Sequence, residues 1–385
     1  MRIGIDARFY GIAGPGRYVK NLIESLEEVD KNNDYVIFLR KENFKLYNPS
    51  NLRFKKVLSD YSWYSFAEQI FFPIFLYREK LDIVHVPHFN FPVLYFKKLI
   101  LTIHDLIMHE HSAVDATSLN RNYYAFKHFV YKVLVQFGFW RAKCVIVPSM
   151  CVKNEVIEKS LFKIEDKIIV TYEGLDKNFI MANPSNADIL KTLSALDIQK
   201  PYILYIGSSY PHKNLKDLII TFQGIVKKNE YIGSLVVLGK RDEFAAKLKS
   251  FVGYLGLKDR VYFPSFIEGY SYISDVDLIN VIRGSDLLVF PSLKEGFSLT
   301  PLEALSQGIF CSISDICAHR EIYGDLVFYF NPKSISDMEN VIIKSLRNKP
   351  AKDKIFESSK QLIKKYNWKT MATQTLELYE KYKKI

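Results

Sequence analysis

Short apolar runs alternate with amphipathic segments along almost the whole chain. The first run, Arg2 to Ile5, is followed by Tyr18, Val19, Leu22, Ile23 and Leu26, spaced to share one helical face. That is a βα unit. Further β-branched or aromatic runs at Tyr35 to Leu39, Leu52 to Val57, Asp82 to Val86, Leu99 to Ile103, Cys144 to Val147 and Ile168 to Thr171 predict strands with helices between several of them. The polar stretch Met181 to Asp188, with Asn183, Pro184, Ser185 and Asn186, breaks the rhythm and reads as a linker. A second series follows at Tyr202 to Ile206, Ser234 to Leu238, Val261 to Phe263, Leu287 to Phe290, Ile309 to Ile313 and Val327 to Phe330. Its clearest helix carries Leu215, Leu218, Ile219, Phe222, Ile225 and Val226 on one face. The pattern predicts two doubly wound α/β domains, residues 1–182 and 183–365. Sheets of this kind bind ligands at the carboxyl ends of their strands, here expected around a shared central cleft.

Composition narrows the class. With 385 residues, 48% hydrophobic, 15% aromatic and 25% charged, the chain is long enough for two cores and too apolar for general disorder. Its longest apolar stretch, Ile70 to Tyr77 interrupted by Pro73, falls short of the roughly 20 residues that span a bilayer. Asp6 and Arg8 stand where a secretory signal needs an apolar run, so a cytoplasmic location is expected. Cys144, Cys151, Cys311 and Cys317 form no CxxC pair and no zinc spacing, and are read as buried thiols. A net charge of +11 calls for an anionic partner: a phosphate-bearing ligand, a membrane surface or nucleic acid. No nucleic-acid motif accompanies that charge.

The most informative segment is LLVFPSLKEGFSLTPLEALSQG, from Leu287 to Gly308, a strand that runs through a glycine loop into a helix. Glu295 and Glu303 frame the loop and can accept hydrogen bonds from two sets of sugar hydroxyls. The backbone N–H groups of Gly296, Phe297, Ser298, Leu299 and Thr300 lie at a helix start, which favours an anion. Upstream, YILYIGSSYPHKNLKDLI passes from strand to helix through Gly207, Ser208, His212 and Lys213, a placement that delivers an ammonium to a diphosphate. In GIAGPGRYVKNL, Gly14 and Gly16 precede a helix and leave backbone N–H groups open to a phosphate. DIVHVPHFNFP and LTIHDLI set His85, His88, His104 and Asp105 at or just past two strand ends.

The glutamate loop resembles the signature of glycosyltransferase family 4, retaining enzymes of the GT-B fold. The resemblance implies that Glu295 contacts the transferred sugar and Glu303 the ribose of the nucleotide. Ser298 stands where the family usually has glycine. The segment around Lys213 resembles the family's G-x-x-x-P-R-K-N turn, with His212 in the usual arginine position; the resemblance implies that Lys213 stabilises the leaving nucleoside diphosphate, with Ser208 and His212 in the same cradle. Gly14 and Gly16 are similar to a segment whose backbone lies beside the donor diphosphate, and TIHDL to one whose histidine, His104, faces the donor sugar while Asp105 orients the loop. His85 reads as structural. VPSMCVKNEV and YEGLD resemble family segments that bring Ser149 and Glu173 to strand ends, with open roles, and Glu321 matches a glutamate that shapes the donor pocket. Asn367 and Trp368 begin a stretch resembling the family's final helix, 366–385, which crosses back to the first domain.

The resemblance thus implies an acceptor-binding first domain, a donor-binding second one, and a retaining hexosyltransferase acting by front-face attack without a metal. The donor implied is a nucleotide-diphosphate sugar, GDP-mannose first and UDP-hexose next, with no tightly bound cofactor. The acceptor is a glycan or lipid-linked glycan, and basic residues interleaved with aromatics in Tyr95 to Lys98 and Arg121 to Lys132 suit peripheral contact with an anionic membrane. The competing readings are a nucleotide-sugar epimerase or phosphorylase of the same fold, and a non-enzymatic anion- or nucleic-acid-binding protein. Asp275 and Asp277 superficially resemble a metal-binding pair but read as a helix start.

Overall fold

The computed structural model describes residues 1–110, 121–268 and 273–383. Two compact units divide the chain, and each is built on one parallel sheet. The first holds the described residues up to Gly174 together with Tyr366 onward; the second runs from Leu175 to Lys365.

In the first unit seven strands, β1 (Arg2–Asp6), β2 (Asp34–Leu39), β3 (Phe54–Leu58), β4 (Ile83–Val86), β5 (Leu99–Thr102), β6 (Cys144–Val147) and β7 (Ile168–Val170), lie in the order β3-β2-β1-β4-β5-β6-β7. Strands covered on both faces by helices need apolar residues at every position, which is why Ile83–Val86, Leu99–Thr102 and Cys144–Val147 are buried throughout. The helix Ala13–Val29 buries Tyr18, Val19, Leu22, Ile23 and Leu26, the face its spacing predicts. The C-terminal helix Trp368–Lys383 packs against it. The chain direction reverses its order at β1 and β4, which places the binding end of this sheet past Asp6 and Val86.

The second unit's strands are β8 (Tyr202–Ile206), β9 (Ser234–Leu238), β10 (Val261–Tyr262), β11 (Leu287–Phe290), β12 (Cys311–Ser314) and β13 (Phe328–Phe330), ordered β10-β9-β8-β11-β12-β13. The order reverses at β8 and β11, which pair directly. The helix Leu215–Lys227 buries Leu215, Leu218, Ile219, Phe222 and Ile225 and packs on Ile335–Asn348.

Three expectations change. Met181 to Asp188 is not an open linker: the Ser185 hydroxyl accepts a hydrogen bond from the Asp188 N–H and the Asp188 carboxylate accepts one from the Ser185 N–H, a capping box that starts the helix Asn186–Ala195. The units divide at Gly174, upstream of residue 182, because Leu175 and Phe179 are buried in the second unit and Gln307 Nε2 donates to the Phe179 carbonyl at 2.6 Å. Of the cysteines, Cys144 and Cys311 are the buried thiols expected, whereas Cys151, half-buried, and Cys317, exposed, are disulfide-bonded and not free thiols.

Candidate active site

The carboxyl ends of β8 and β11 carry the second unit's candidate residues. After β8 the backbone turns at Gly207, whose N–H donates to the Leu238 carbonyl at 2.9 Å, and the Tyr205 hydroxyl donates to the Ser208 carbonyl at 2.7 Å. A short 3-10 turn, Pro211–Lys213, follows, and Asn214 takes a left-handed conformation that opens the helix Leu215–Lys227. The Leu293 N–H donates to the His212 carbonyl at 2.8 Å, which ties this turn to the loop after β11. Lys213 and Glu295 therefore meet: Nζ lies 2.6 Å from Oε1, with 17% and 10% of the side chains exposed. Burial alone would push the Glu295 carboxyl up, but its neighbours, led by the charge and hydrogen bond of Lys213, together more than offset it and hold it below its ordinary value. The result is a carboxylate that stays ionised beside an ammonium, both partly open to a ligand.

The loop then enters the helix Leu299–Ser306 through Ser298 at φ 75°. A left-handed backbone normally favours glycine. Here Ser298 is held by both polar ends: the Tyr323 hydroxyl donates to its carbonyl, and its Oγ lies 3.0 Å from His319 Nε2. His319 Nδ1 faces the Ser314 carbonyl at 2.8 Å, so Nδ1 carries the proton and Nε2 accepts from the Ser298 hydroxyl. Burial, opposed by Glu295, lowers the His319 pKa to about 4 and keeps that ring neutral. Glu303 is buried in this helix, as is the Phe297 side chain in the loop, while Gly296, Leu299 and Thr300 bring their backbone to the same turn. Glu321 is half-buried on the helix Cys317–Tyr323, and His319, two residues earlier, touches the loop through Ser298. Asp275 and Asp277 open the helix Asp275–Gly284, with the Ser274 hydroxyl accepting from the Asp277 N–H at 3.1 Å.

In the first unit, Gly14 is exposed with nothing within 4 Å of a Cβ placed on it. A Cβ at Gly16 would fall 2.0 Å from the Phe9 carbonyl, so Gly16 serves the fold of the turn. Beyond β5, His104 Nε2 is 3.2 Å from the Pro87 carbonyl and Nδ1 3.3 Å from Glu173 Oε1, which joins two of the expected residues. Asp105 accepts from the Ile107 N–H at 2.9 Å, and Ser149 caps the helix Met150–Lys159 through the Val152 N–H. His85 is fully buried between the Tyr379 hydroxyl at 2.6 Å and Thr102 Oγ1 at 2.7 Å, and burial, helped by His104, lowers its pKa to about 3. His88 stacks on Phe9 and accepts from the Asn90 N–H at 3.1 Å.

Residues 12–179 match the model of Glycosyltransferase Family 4, and residues 189–366 that of Glycosyl transferases group 1. The chain belongs to glycosyltransferase family 4. This family 4 chain is 26% identical to O-antigen chain mannosyltransferase B of Escherichia coli, over 62% of its own length and 61% of the relative's. It is 25% identical to the O-antigen chain mannosyltransferase RfbU of Salmonella typhimurium, over 73% of its own length and 69% of the relative's. Among solved structures, Anabaena HepE in complex with UDP and glucose superposes with a TM-score of 0.75 at 14% identity, covering 99% of this chain and 100% of the other. The two parallel-sheet domains are those of the GT-B fold. In family 4 terms the departure at Ser298 is now explained, because hydrogen bonds from Tyr323 and to His319 hold the left-handed turn that glycine would otherwise supply. Sequence spacing carried no signal for either partner.

Proposed function

We propose that the protein is a retaining hexosyltransferase that moves mannose, or failing that another hexose, from a nucleoside diphosphate to a glycan or lipid-linked glycan. The observation that carries this reading is the 2.6 Å Lys213–Glu295 contact at the carboxyl ends of β8 and β11, beside the start of the helix Leu299–Ser306. Electrostatic stabilisation needs donors fixed where charge develops. Lys213 is such a donor for a departing diphosphate, and the N–H groups at the helix start add partial positive charge. Glu295, kept ionised, accepts hydrogen bonds from hydroxyls of the transferred sugar, and Glu303 from the ribose. In a front-face transfer the glycosidic bond to the diphosphate breaks while the acceptor oxygen bonds the same face of the sugar. The departing phosphate oxygen takes the acceptor's proton, so no divalent metal is required. The names of the two O-antigen mannosyltransferase relatives support mannose as the first sugar to test, and GDP-mannose as the first donor.

A lipid-linked acceptor is favoured by the first unit's surface. The helix Phe66–Arg78 exposes Phe66, Ile70, Phe71 and Ile74, and Arg121–Arg141 exposes Phe126, Phe129, Val133 and Trp140; the side chains of residues 121–124 are outside the described ones. Lys97 lies 5.8 Å over the Tyr77 ring between these helices, a cation where an anionic surface would meet it. Peripheral contact of this face with an anionic membrane is part of the proposal. Its test is transfer from GDP-mannose and from UDP-hexoses to lipid-linked and free glycan acceptors, with Glu295→Ala and Lys213→Ala as controls. Loss of transfer in both variants, each still folded by its thermal melt, is expected, and unchanged turnover in both would sink the reading.

A further inference from the structure

A pocket of about 860 Å³ opens in the second unit at the amino-terminal ends of its strands, the end of the sheet away from Lys213 and Glu295. Its walls carry three cations: Lys200 just before β8, Arg283 just before β11, and Lys352 in the first turn of the helix Lys352–Lys365. Gly308, at φ 72°, lets the Lys352 backbone come close, its carbonyl being 3.0 Å from where a Cβ would stand. None of the three cations has a carboxylate within ion-pair distance among the described residues. Lys352 Nζ donates to the Arg283 carbonyl at 2.7 Å, and an Arg283 η nitrogen donates to Asn183 Oδ1 at 3.1 Å. Asp353 is the pocket's one acidic wall residue among those described.

Cations are ordinarily separated or paired, because crowding like charges costs free energy; here Arg283 is half-buried while Lys200 and Lys352 are exposed. Burial, followed by the charges of Lys200, Lys349 and Arg283, lowers the Lys352 pKa below its ordinary value, and burial lowers that of Arg283. Asp286 acts in the opposite sense on Lys352 without pairing with it, so among the described residues the charge of the three cations is only partly offset. Along the rim, Met181, Leu190 and Phe356 expose apolar surface. Gln307, buried in the wall, has an Oε1 that accepts no hydrogen bond from the described residues.

We propose that this pocket is a second anion site, taking a phosphate ester whose charge meets Lys200, Arg283 and Lys352. Three donors converging on one cavity match the several acceptor oxygens of such a group. The site lies at the opposite sheet end from the proposed transfer chemistry and does not depend on it. A phosphate ester reaches the protein in two forms, free in solution or displayed as a lipid headgroup, and the apolar rim suits the second.

The test measures the full chain against sn-glycerol 1-phosphate by calorimetry, and against phosphatidylglycerol and phosphatidylcholine vesicles by co-sedimentation. The variant Lys200→Gln/Arg283→Gln removes two pocket charges; Lys227→Gln/Lys333→Gln removes two exposed charges elsewhere in the same unit. Binding in one or both anionic arms should weaken roughly tenfold or more in the pocket variant, from the loss of two charge-assisted hydrogen bonds, and less than about twofold in the control. Calorimetric binding identifies a free ester as the source, and binding only to phosphatidylglycerol vesicles identifies a headgroup. Lys352→Gln, judged alongside its thermal melt, repeats the test should the double variant lose its fold. No binding in either arm, or equal weakening in pocket and control variants, overturns the proposal.

Discussion

Arg8 and Lys213 are both cations held against carboxylates just past a central strand, Arg8 beyond β1 and Lys213 beyond β8. Arg8 is fully enclosed. Its Nε and an η nitrogen donate to Asp6 at 2.8 and 2.7 Å, the same η nitrogen reaches Glu68 at 2.7 Å, and the guanidinium lies 4.1 Å over the Phe72 ring. Glu68 is itself held by Asn90 Nδ2 at 2.8 Å and by the Tyr64 N–H at 2.7 Å. Burial works against the Arg8 charge, but Asp6 and Glu68 more than offset it and raise its pKa above the ordinary value. Lys213, by contrast, has one carboxylate and retains exposure. A cation locked between two acids and out of reach of solvent holds the fold, whereas one that keeps some exposure at a sheet's binding end can meet a ligand.

The sharpest break of that contrast is Arg8→Met. Removing one partner of a buried ion cluster strands the others, so the full chain should lose about 3–5 kcal/mol of stability by urea unfolding. A loss under about 1 kcal/mol would erase the distinction. Lys213→Ala should do the reverse, lowering transfer about 100-fold or more while costing much less stability than Arg8→Met. Ser298 sharpens the picture further. Ser298→Ala keeps the left-handed strain and loses the hydroxyl bond to His319, and should cost about 1 kcal/mol, whereas Ser298→Gly relaxes the backbone and should be nearly neutral in the same unfolding assay. Equal costs for the two would show that φ 75° carries no strain. The smallest effect concerns pH. Because the folded Glu295 carboxyl lies below its ordinary 4.5, its stabilisation is present above pH 4.5 and is lost as pH falls through the folded value. Acid unfolding curves of Glu295→Gln should lack that component, and a superimposable pair of curves would deny the shift.

Much of this was legible in the chain, and the reason is physical. Parallel strands covered on both faces must be continuous apolar runs, so Ile83–Val86 and Leu287–Phe290 announce themselves, and strand ends, such as Leu52 expected against Phe54 observed, shift slightly. The capping box at Ser185 was read as linker because caps are polar by necessity. Glu295, Lys213 and their loops were visible as motifs, but their contact, across 82 positions, was not. Nor was His319, whose bond to Ser298 depends on two loops meeting. Asp6 and Arg8 looked like mere interruptions of a leader; only the fold brings Glu68 to them.

The central claim is that Lys213 holds the phosphates of an activated sugar. Calorimetric titration of GDP and of UDP into the wild-type chain and into Lys213→Ala tests it most directly. One nucleotide should bind the wild type and lose roughly tenfold or more in affinity in the variant. Equal affinity in the two proteins, or no binding of either nucleotide to the wild type, would contradict the account.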